Sequence, residues 1–388
     1  MYRIQCLNQI SSIGTDRFGA EYIFSQEMEQ PDGILVRSAS LHEMQFSPSL
    51  LAIARAGAGV NNIPVDACTE QGIVVFNTPG ANANAVKELV LCALLLSSRK
   101  IPAAMDWVKT LKGSGAEVGK LVEKGKSAFA GPELLGKTLG VVGLGAIGIL
   151  VANAAEHLGM TVYGFDPFLS VESAWRLSSR VKKAASFDEI CQNCDYITLH
   201  LPATNETKGM INAESIAKMK DGARLMNFAR GELADPAAVL EALQSGKLLS
   251  YATDFPDDSM IGVEGVVALP HLGASTPESE DNCAVMAVDQ IKEYLEEGNI
   301  KNSVNFPSVS MPREPGTARI CLMHKNIPNT IATFAAVCGN LSINIENMQS
   351  KSKGEYAYTI VDVSGDLPEH AEDSLLEVEA VIRARILP

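Results

Sequence analysis

Glycines and one acidic residue in the middle of the chain have a spacing suited to binding a dinucleotide. Gly143, Gly145 and Gly148 form the pattern G-x-G-x-x-G, and Asp166 ends the next predicted strand. Such glycines allow a tight turn close to a pyrophosphate, and a helix that begins there offers free N–H groups. Asp166 would accept hydrogen bonds from ribose hydroxyls and repel a 2′-phosphate, which favours NAD over NADP. The competing interpretation is a turn without a ligand, with Asp166 as a capping residue.

An arginine and a histidine follow two later apolar segments. Arg230 lies in the sequence N-F-A-R-G, and His271 lies in P-H-L-G. Arginine can bind a carboxylate through two hydrogen bonds and polarise a neighbouring carbonyl, and histidine exchanges a proton near neutral pH. An open parallel sheet binds its ligands at the carboxyl ends of its strands, where both residues are expected. Taken alone, each could equally be a surface arginine or a structural histidine.

The elements around these residues alternate between strand and helix. Residues 137–143 are predicted as a strand, 146–157 as a helix and 161–166 as the next strand. Asp235 followed by proline predicts another helix start. Together with four further short apolar runs, this order predicts one doubly wound parallel sheet. The further strands are predicted at residues 195–201, 223–229, 248–254 and 266–270.

A smaller α/β region precedes this sheet and resumes after it. Residues 98–135 are polar and rich in glycine and lysine, which predicts an exposed connection. A long helix is predicted at residues 276–297, and the three prolines within residues 305–316 suit a semi-rigid linker. The other elements of this region are strands at residues 33–37, 51–55 and 73–76 and a helix at residues 86–97.

The last part of the chain has a different order of elements. Strand, helix, strand, strand and helix follow one another, and residues 382–387 could add a final strand. This order predicts a ferredoxin-like α+β domain. The predicted strands are residues 318–324, 343–350 and 355–363, and the predicted helices are residues 330–338 and 372–381.

The composition disfavours several kinds of partner. The chain has 388 residues and a formal net charge of −14, a sign that opposes binding to nucleic acid or to an anionic membrane. No apolar run is long enough to span a bilayer, and the N-terminus lacks a signal or transit pattern, so the cytoplasm is the expected location. The C-x-x-C pair Cys191 and Cys194 lacks further metal ligands at a suitable spacing, so packing is favoured over a zinc or redox site.

With the segment R-A-G-A-G at residues 55–59, these motifs resemble the D-isomer-specific 2-hydroxyacid dehydrogenases over residues 1–306. The resemblance implies an NAD-dependent oxidoreductase in which Arg230 binds and polarises the substrate while His271 transfers the proton. Relatives usually carry a glutamate in D-V-F-x-x-E-P that orients the histidine. Here the sequence is D-F-P-D-D from Asp254, so Asp258 is the expected, shorter substitute.

The resemblance also implies domains and binding residues. A discontinuous flavodoxin-like substrate domain is expected at residues 1–97 and 272–306, with a Rossmann-type NAD domain at residues 98–271. The substrate is expected to contact Arg37, Arg55, Gly57, Ala58 and Asn82. The residues expected to contact NAD are Gly143, Gly145, Ala146, Ile147, Gly148, Asp166, His200, Pro202, Thr207, Phe228, Ala229, Asp254, Gly273 and Ala274.

Residues 316–388 resemble the ACT domain, a ligand-binding module found on enzymes of amino-acid biosynthesis. His324, Asn326 and Asn344 match its effector-binding pattern, with serine as the implied effector, although Asn329 stands where glycine is usual. This domain favours family members that oxidise the phosphorylated acid 3-phosphoglycerate. The alternatives are a glyoxylate or hydroxypyruvate reductase and a non-catalytic sensor of NADH. A homodimer or homotetramer is expected, without a metal.

Overall fold

The computed structural model describes residues 1–365 and 367–388. Two compact units make up the chain: Met1–Asn82 with Pro277–Pro388, and Ala83–Thr276. The chain therefore leaves the first unit once and returns to it. The expected boundary near residue 97 lies instead at residue 82, because the helix that follows packs on elements of the second unit. Residues 316–388 are not a separate unit but belong to the first.

The strands are β1 (Tyr2–Leu7), β2 (Tyr22–Ser25), β3 (Gly33–Val36), β4 (Ala52–Arg55), β5 (Val74–Phe76), β6 (Thr138–Val142), β7 (Thr161–Phe165), β8 (Lys182–Lys183), β9 (Tyr196–Leu199), β10 (Ala223–Asn227), β11 (Leu248–Thr253), β12 (Val266–Ala268), β13 (Ala318–Lys325), β14 (Asn344–Lys353), β15 (Tyr356–Ser364) and β16 (Val381–Leu387). The helices are α1 (Ser12–Thr15), α2 (Val65–Glu70), α3 (Ala83–Arg99), α4 (Ile101–Thr110), α5 (Val118–Gly125), α6 (Ala146–His157), α7 (Val171–Arg176), α8 (Phe187–Asn193), α9 (Ala213–Lys218), α10 (Pro236–Gln244), α11 (Pro277–Glu297), α12 (Thr330–Asn340) and α13 (Ala371–Leu376).

The second unit is built on a parallel sheet with the strand order β12-β11-β10-β9-β6-β7-β8. Its central strands are apolar and buried, as expected where helices cover both faces of a sheet. Local signals define its helices: Asp235 caps α10 ahead of Pro236, and Asn212 with Ser215 forms a capping box on α9. The predicted doubly wound sheet is confirmed.

The segment predicted as a polar connection, residues 98–135, is mostly helical. It contains α4 and α5, joined by short turns of 3-10 helix. The Trp107 and Phe129 rings lie 5.3 Å apart. The helices were not predicted, but neither α4 nor α5 contains a buried residue, so the expected exposure of this segment is confirmed.

A parallel sheet with the order β2-β1-β3-β4-β5 forms the first part of the first unit. The helix α11 lies against β3, β4 and β5, and its Ile291 and Tyr294 are fully buried in the core of this sheet. Strands β1 and β2 were not predicted from the sequence. The N-terminal turn of α11 lies beside the carboxyl end of β3. Glu280 in this turn accepts a hydrogen bond from Arg37, the residue that follows β3.

The C-terminal part of the first unit is an antiparallel sheet with the order β14-β15-β13-β16. Its order of elements, with β16 as the final strand, confirms the ferredoxin-like prediction. Helices α12 and α13 cover one face. The other face shares a core with the parallel sheet and α11, because Cys321, Met323 and Tyr358 pack in the same cluster as Ile4 and Tyr294.

The C-terminal sheet supplies the cap of α11. No basic residue lies in the last turn of that helix. Instead, Arg385 donates to the carbonyl oxygens of Tyr294 and Leu295 at 3.3 and 3.0 Å, and Arg319 donates to that of Glu297 at 2.9 Å. These guanidinium groups add donors to the carbonyls of the last turn, of which that of Tyr294 also accepts from the N–H of Gly298, and they counter the negative end of the helix.

The first half of the segment predicted as a linker packs into the core, whereas residues 314–316 are exposed. Phe306 and Val309 have no exposed surface, and Met311 is buried as well. Ile300 and Val309 form an antiparallel bridge that holds the segment against the end of α11. Pro307 is therefore part of a packed connection and not of an extended spacer between domains.

Candidate active site

The three glycines of the turn after β6 have different roles. A Cβ on Gly148 would lie 1.9 Å from the carbonyl oxygen of Gly143, and Gly143 itself has φ of 92°. Both positions therefore need glycine for the turn and for helix packing. A Cβ on Gly145 would meet nothing within 4 Å. The space beside Gly145, at the start of α6, fits the pyrophosphate of a dinucleotide.

The carboxylate of Asp166 is held against this turn. One oxygen accepts a hydrogen bond from the N–H of Leu144 at 2.8 Å, and the other accepts one from the N–H of Phe168 at 2.8 Å. Each carboxylate oxygen can accept a second bond, so the group can still receive ribose hydroxyls. These residues fit NAD, with the negative charge of Asp166 disfavouring a 2′-phosphate.

His200, Pro202 and Thr207 follow β9. His200 is hydrogen bonded to Thr198, and Thr207 is hydrogen bonded to Pro202. Nε2 of His200 lies 3.0 Å from Oγ1 of Thr198, and burial lowers the pKa of His200 to about 3. The imidazole is therefore neutral and unsuited to accept a proton. Oγ1 of Thr207 donates to the Pro202 carbonyl oxygen at 2.6 Å, which closes the following turn.

A buried asparagine shapes the turn that carries Arg230. The Asn227 side chain accepts from the N–H of Ala229 at 3.2 Å and donates to the carbonyl oxygen of Arg230 at 2.8 Å. Phe228, which lies between Asn227 and Ala229 in the sequence, is buried. The Arg230 side chain is exposed. Sequence analysis did not select Asn227. Its signal was a polar side chain at the last position of β10, a strand that is apolar apart from Arg224.

Phe255 lies between this turn and His271. Its Cβ would be 3.3 Å from a Cβ placed on Gly231, the residue after Arg230. The Phe255 and His271 rings meet edge to face with their centroids 4.7 Å apart. Sequence analysis did not select Phe255 either. The aromatic ring restricts the orientation of an imidazole that is otherwise exposed.

Asp254 is a buried carboxylate close to both predicted catalytic residues. Only 3% of its surface is exposed, and its Oδ1 atom has no hydrogen-bond partner among the described residues. Burial raises the pKa of Asp254, while the charges of His271 and Arg230 and the N–H of Gly273 lower it. Arg230, His271 and Asp254 therefore form one electrostatic group at the carboxyl edge of the parallel sheet.

Asp258, the expected partner of His271, is not brought to it. Asp258 is exposed, and within residues 1–365 and 367–388 it forms no hydrogen bond or ion pair with His271. The turn after Asp254 explains this, because Asp257 accepts from the N–H of Ser259 at 2.9 Å and directs residues 257–259 outward. The carboxyl group that interacts electrostatically with His271 is that of Asp254.

The predicted carboxylate loop, residues 57–59, lies in the first unit. Its three carbonyl oxygens are bound: Gly57 by the N–H of Thr78 at 3.1 Å, Ala58 by the Asn77 side chain at 2.6 Å, and Gly59 by Arg55. The N–H groups of Ala58 and Gly59 have no acceptor in the part of the chain that the structure describes. The loop therefore presents free donors suited to an anion.

The two candidate phosphate ligands differ in their contacts. Arg55 donates to the carbonyl oxygen of Arg37 at 3.0 Å as well as to Gly59, so it mainly supports the loop. Arg37 instead forms a 2.5 Å ion pair with Glu280. Asn82, the other candidate substrate ligand, is the last residue of the first unit.

The candidate effector residues lie at two ends of the C-terminal sheet: His324 and Asn326 are at the end where β15 begins, and Asn344 is at the opposite end, paired with Ser364. Both ring nitrogens of His324 are engaged, with the Lys325 carbonyl and with Oγ1 of Thr359, each at 2.9 Å. Asn326 and Asn344 are exposed, and their amides donate to Gly354 and Glu346 respectively. Asn329 adopts a left-handed conformation with φ of 65°, so asparagine replaces the usual glycine in this turn.

Other candidate sites are not supported. Burial raises the pKa of Cys191 to about 11 and that of Cys194 to about 12, so both thiols are unreactive packing groups. The described residues contain no cluster of three or more histidine, cysteine, aspartate or glutamate side chains able to hold a metal. Nor do they include a helix that is long and apolar enough to cross a membrane.

Comparison with known proteins identifies the family. Residues 91–273 match the family described as D-isomer specific 2-hydroxyacid dehydrogenase, NAD binding domain. A D-3-phosphoglycerate dehydrogenase from Haemophilus influenzae is 34% identical over 92% of this chain and 86% of its own length. The chain belongs to the D-isomer specific 2-hydroxyacid dehydrogenases. The second unit of this dehydrogenase is accordingly its NAD-binding part.

Other relatives of this dehydrogenase are longer. The D-3-phosphoglycerate dehydrogenase of Bacillus subtilis is 34% identical, and the chain spans 66% of it. The chain spans 53% of the enzyme of that name from Archaeoglobus fulgidus. A solved NAD⁺-bound 3-phosphoglycerate dehydrogenase from Entamoeba histolytica is 29% identical, with a TM-score of 0.59 over 78% of this chain and 98% of that one.

Proposed function

We propose that this dehydrogenase is an NAD-dependent D-3-phosphoglycerate dehydrogenase, which oxidises 3-phosphoglycerate to 3-phosphohydroxypyruvate at the start of serine biosynthesis. The observation that carries the chemistry is the grouping of Arg230, His271 and Asp254 at the sheet edge that also carries the glycine turn. The name is supported by relatives that share it at 33–37% identity.

The residues of the second unit have distinct roles in this proposal. His271 accepts the proton of the C2 hydroxyl during oxidation and returns it during reduction. Arg230 binds the substrate carboxylate and stabilises negative charge on the C2 oxygen. Bound NAD supplies the acceptor for the hydrogen and electron pair that leave C2. Asp254 keeps the neighbourhood of His271 and Arg230 negative, which favours the protonated imidazole after proton transfer.

The first unit provides groups for the anionic ends of the substrate. The free N–H groups of Ala58 and Gly59 suit a carboxylate, and their rigid support by Arg55, Asn77 and Thr78 reduces the entropy lost on binding. Arg37 suits the phosphate, since it is partly exposed and keeps donors beyond the one bound to Glu280.

The C-terminal domain is proposed to be an ACT domain that senses an amino acid. Asn326 carries an exposed amide next to the end of β13 and could bind the carboxylate of serine, whereas Asn344 lies at the opposite end of the sheet. His324 would act indirectly, because both of its nitrogens are already bonded within the domain. Titration of serine against activity tests this proposal, with Asn326→Ala as the variant that should weaken the effect of serine and Asn344→Ala as the matched control.

The assembly and location are also proposals. We propose a homodimer or homotetramer in the cytoplasm. Exposed apolar side chains on α3 and α4 offer one surface for a second copy: Leu95, Ile101, Met105 and Val108. Light scattering of the purified enzyme, compared with a Met105→Glu, Val108→Glu variant, tests this surface.

One assay separates the proposed function from its alternatives. Oxidation of NADH is measured with 3-phosphohydroxypyruvate, hydroxypyruvate and glyoxylate at equal concentrations. A higher kcat/KM for the phosphorylated acid is expected, whereas a preference for either other acid would indicate a reductase. An NADH sensor would bind NADH without turnover. The variant His271→Ala should lose turnover by orders of magnitude and still bind NADH, and unchanged turnover would contradict the role of His271.

A further inference from the structure

An ion pair occupies the guanidinium group best suited to the substrate phosphate. Nη2 of Arg37, at the end of β3, lies 2.5 Å from Oε1 of Glu280. Glu280 is in the first turn of α11, where the helix N-terminus favours a negative charge. The two side chains are 43% and 41% exposed, so water and ligands can reach them.

The neighbouring groups make this pair functionally significant. Arg55, the other nearby cation, is bound to backbone carbonyls of Arg37 and Gly59. Both arginines act electrostatically on the thiol of Cys283, a residue of α11 that also contacts Thr78. Thr78 in turn supports the carboxylate loop through Gly57. Arg37 and Glu280 therefore lie near the carboxylate loop, residues 57–59. This loop would bind the carboxylate of the substrate, while Arg37 would bind its phosphate.

We infer that Glu280 is a specificity-determining residue, which competes with the substrate phosphate for Arg37 and so limits the advantage of phosphorylated over unphosphorylated acids. The inference rests on the proposed function. A phosphate that approaches Arg37 must displace or share Glu280, and it is repelled by the carboxylate. An ion pair this exposed is weak, so the substrate can displace Glu280 at a moderate loss of affinity.

The test is the variant Glu280→Gln, which keeps the size and hydrogen-bonding capacity of the side chain but removes its charge. The KM for 3-phosphohydroxypyruvate should fall about 2- to 5-fold, with the larger part of the change in KM rather than kcat. The KM for hydroxypyruvate should change by less than about 1.5-fold, because that substrate carries no phosphate. Calorimetric titration with 3-phosphoglycerate should show the same gain in affinity without turnover.

Two further variants isolate the contact with Arg37. Glu278→Gln removes the same charge from the same helical turn at an exposed residue that forms no ion pair within the described chain. It should leave both KM values within about 1.5-fold of the wild type, since an exposed charge is screened. In the background of Arg37→Gln, Glu280→Gln should no longer lower the KM for the phosphorylated acid.

Several results would overturn the inference. An equal fall in KM for both acids, an equal effect of Glu278→Gln, or an effect that persists without Arg37 would each show that Glu280 acts through general charge. An unchanged KM in Glu280→Gln would show that it does not compete. Failure of the proposed function is distinguishable, because it would already be visible as a wild-type enzyme that does not prefer the phosphorylated acid.

Discussion

The ring of Phe255 meets the ring of His271 at 61°, with 4.7 Å between their centroids. In the second unit, an aromatic contact thus restricts the imidazole at a place where a hydrogen-bonded carboxylate was expected. Asp254, the acidic residue that acts on His271, does so electrostatically from a buried position. Orientation and charge, which Asp258 alone was expected to supply, are divided here between the two adjacent residues Asp254 and Phe255.

Replacement of Phe255 tests its role as a positioning residue. Phe255→Leu removes the ring but keeps apolar volume, so His271 gains rotational freedom and kcat should fall about 10-fold. Phe255→Tyr keeps the ring and should retain most activity. Steady-state kinetics give kcat and KM, and fluorescence titration gives the affinity for NADH, which should not change. Equal losses in both variants would indicate a steric role in folding instead.

Asp254→Asn should stabilise the protein at neutral pH while lowering its activity. Burial raises the pKa of Asp254, so the folded state retains a proton that the unfolded chain has already released. Its contribution to the free energy of unfolding therefore decreases as the pH rises from the ordinary range of a carboxyl group. The asparagine variant should lose this pH dependence and melt about 2–4 °C higher at pH 7.

Asp258→Asn is the matched control for Asp254→Asn. Asp258 is exposed, and the same loss of charge there should leave the melting temperature unchanged. Differential scanning fluorimetry from pH 4 to pH 8 compares the two variants. A large fall in kcat for Asp258→Asn would instead assign the pairing with His271 to Asp258, as the sequence alone suggested.

The glycine turn predicts opposite outcomes for two alanine substitutions. Gly145→Ala adds a methyl group to open space, so the melting temperature should be unchanged while the affinity for NADH falls at least about 10-fold. Gly148→Ala would place its Cβ against the backbone of Gly143, so the variant should melt several degrees lower even without cofactor. Thermal melts with and without NADH separate the two effects. Equal destabilisation by both would contradict the open space beside Gly145.

The ion pair between Arg319 and Asp362 should be essential for the stability of the first unit. Both side chains are fully buried and joined by two hydrogen bonds of 2.7 and 2.9 Å. Arg319→Met leaves a buried carboxylate unpaired, at a cost of about 3–5 kcal/mol in the free energy of unfolding. Urea denaturation measures this cost.

An exposed ion pair elsewhere in the first unit provides the comparison for Arg319→Met. Arg17 and Asp289 are 49% and 45% exposed, so Arg17→Met should cost less than about 1 kcal/mol. Adding Asp362→Asn to Arg319→Met should recover part of the lost stability, because it removes the uncompensated charge. No recovery would mean that the contacts of Arg319 with Glu297 and Met311 contribute most of the effect.

Local signals in the sequence predicted the elements that carry the site. The helix at residues 146–157 and the strands before and after it were predicted within a residue or two, because their glycines and apolar periodicity are local features. The left-handed Asn329 could be anticipated for the same reason. The loop at residues 57–59 and the turn of Arg230 were identified through resemblance to relatives.

Features that depend on distant contacts were missed. Strand β2 is largely exposed and lacks a strong apolar pattern, and α13 ends at residue 376 because the chain turns there into β16. Asp254 rather than Asp258 interacts with His271, because the turn at residues 257–259 directs Asp258 outward. The spacing of these residues in the sequence does not predict that direction. The cap of α11 could not be read from the sequence either, since its donors are Arg319 and Arg385.

The shared core of the first unit has a consequence for the synthesis of the protein. Residues 83–276 form a compact unit that can be completed while the chain is still growing. The parallel sheet β1–β5, by contrast, is covered by α11, whose carbonyl cap includes Arg385 of β16, a strand that follows the parallel sheet by about 300 residues. The apolar face of the parallel sheet must therefore stay uncovered during synthesis until α11 and the C-terminal sheet have been made.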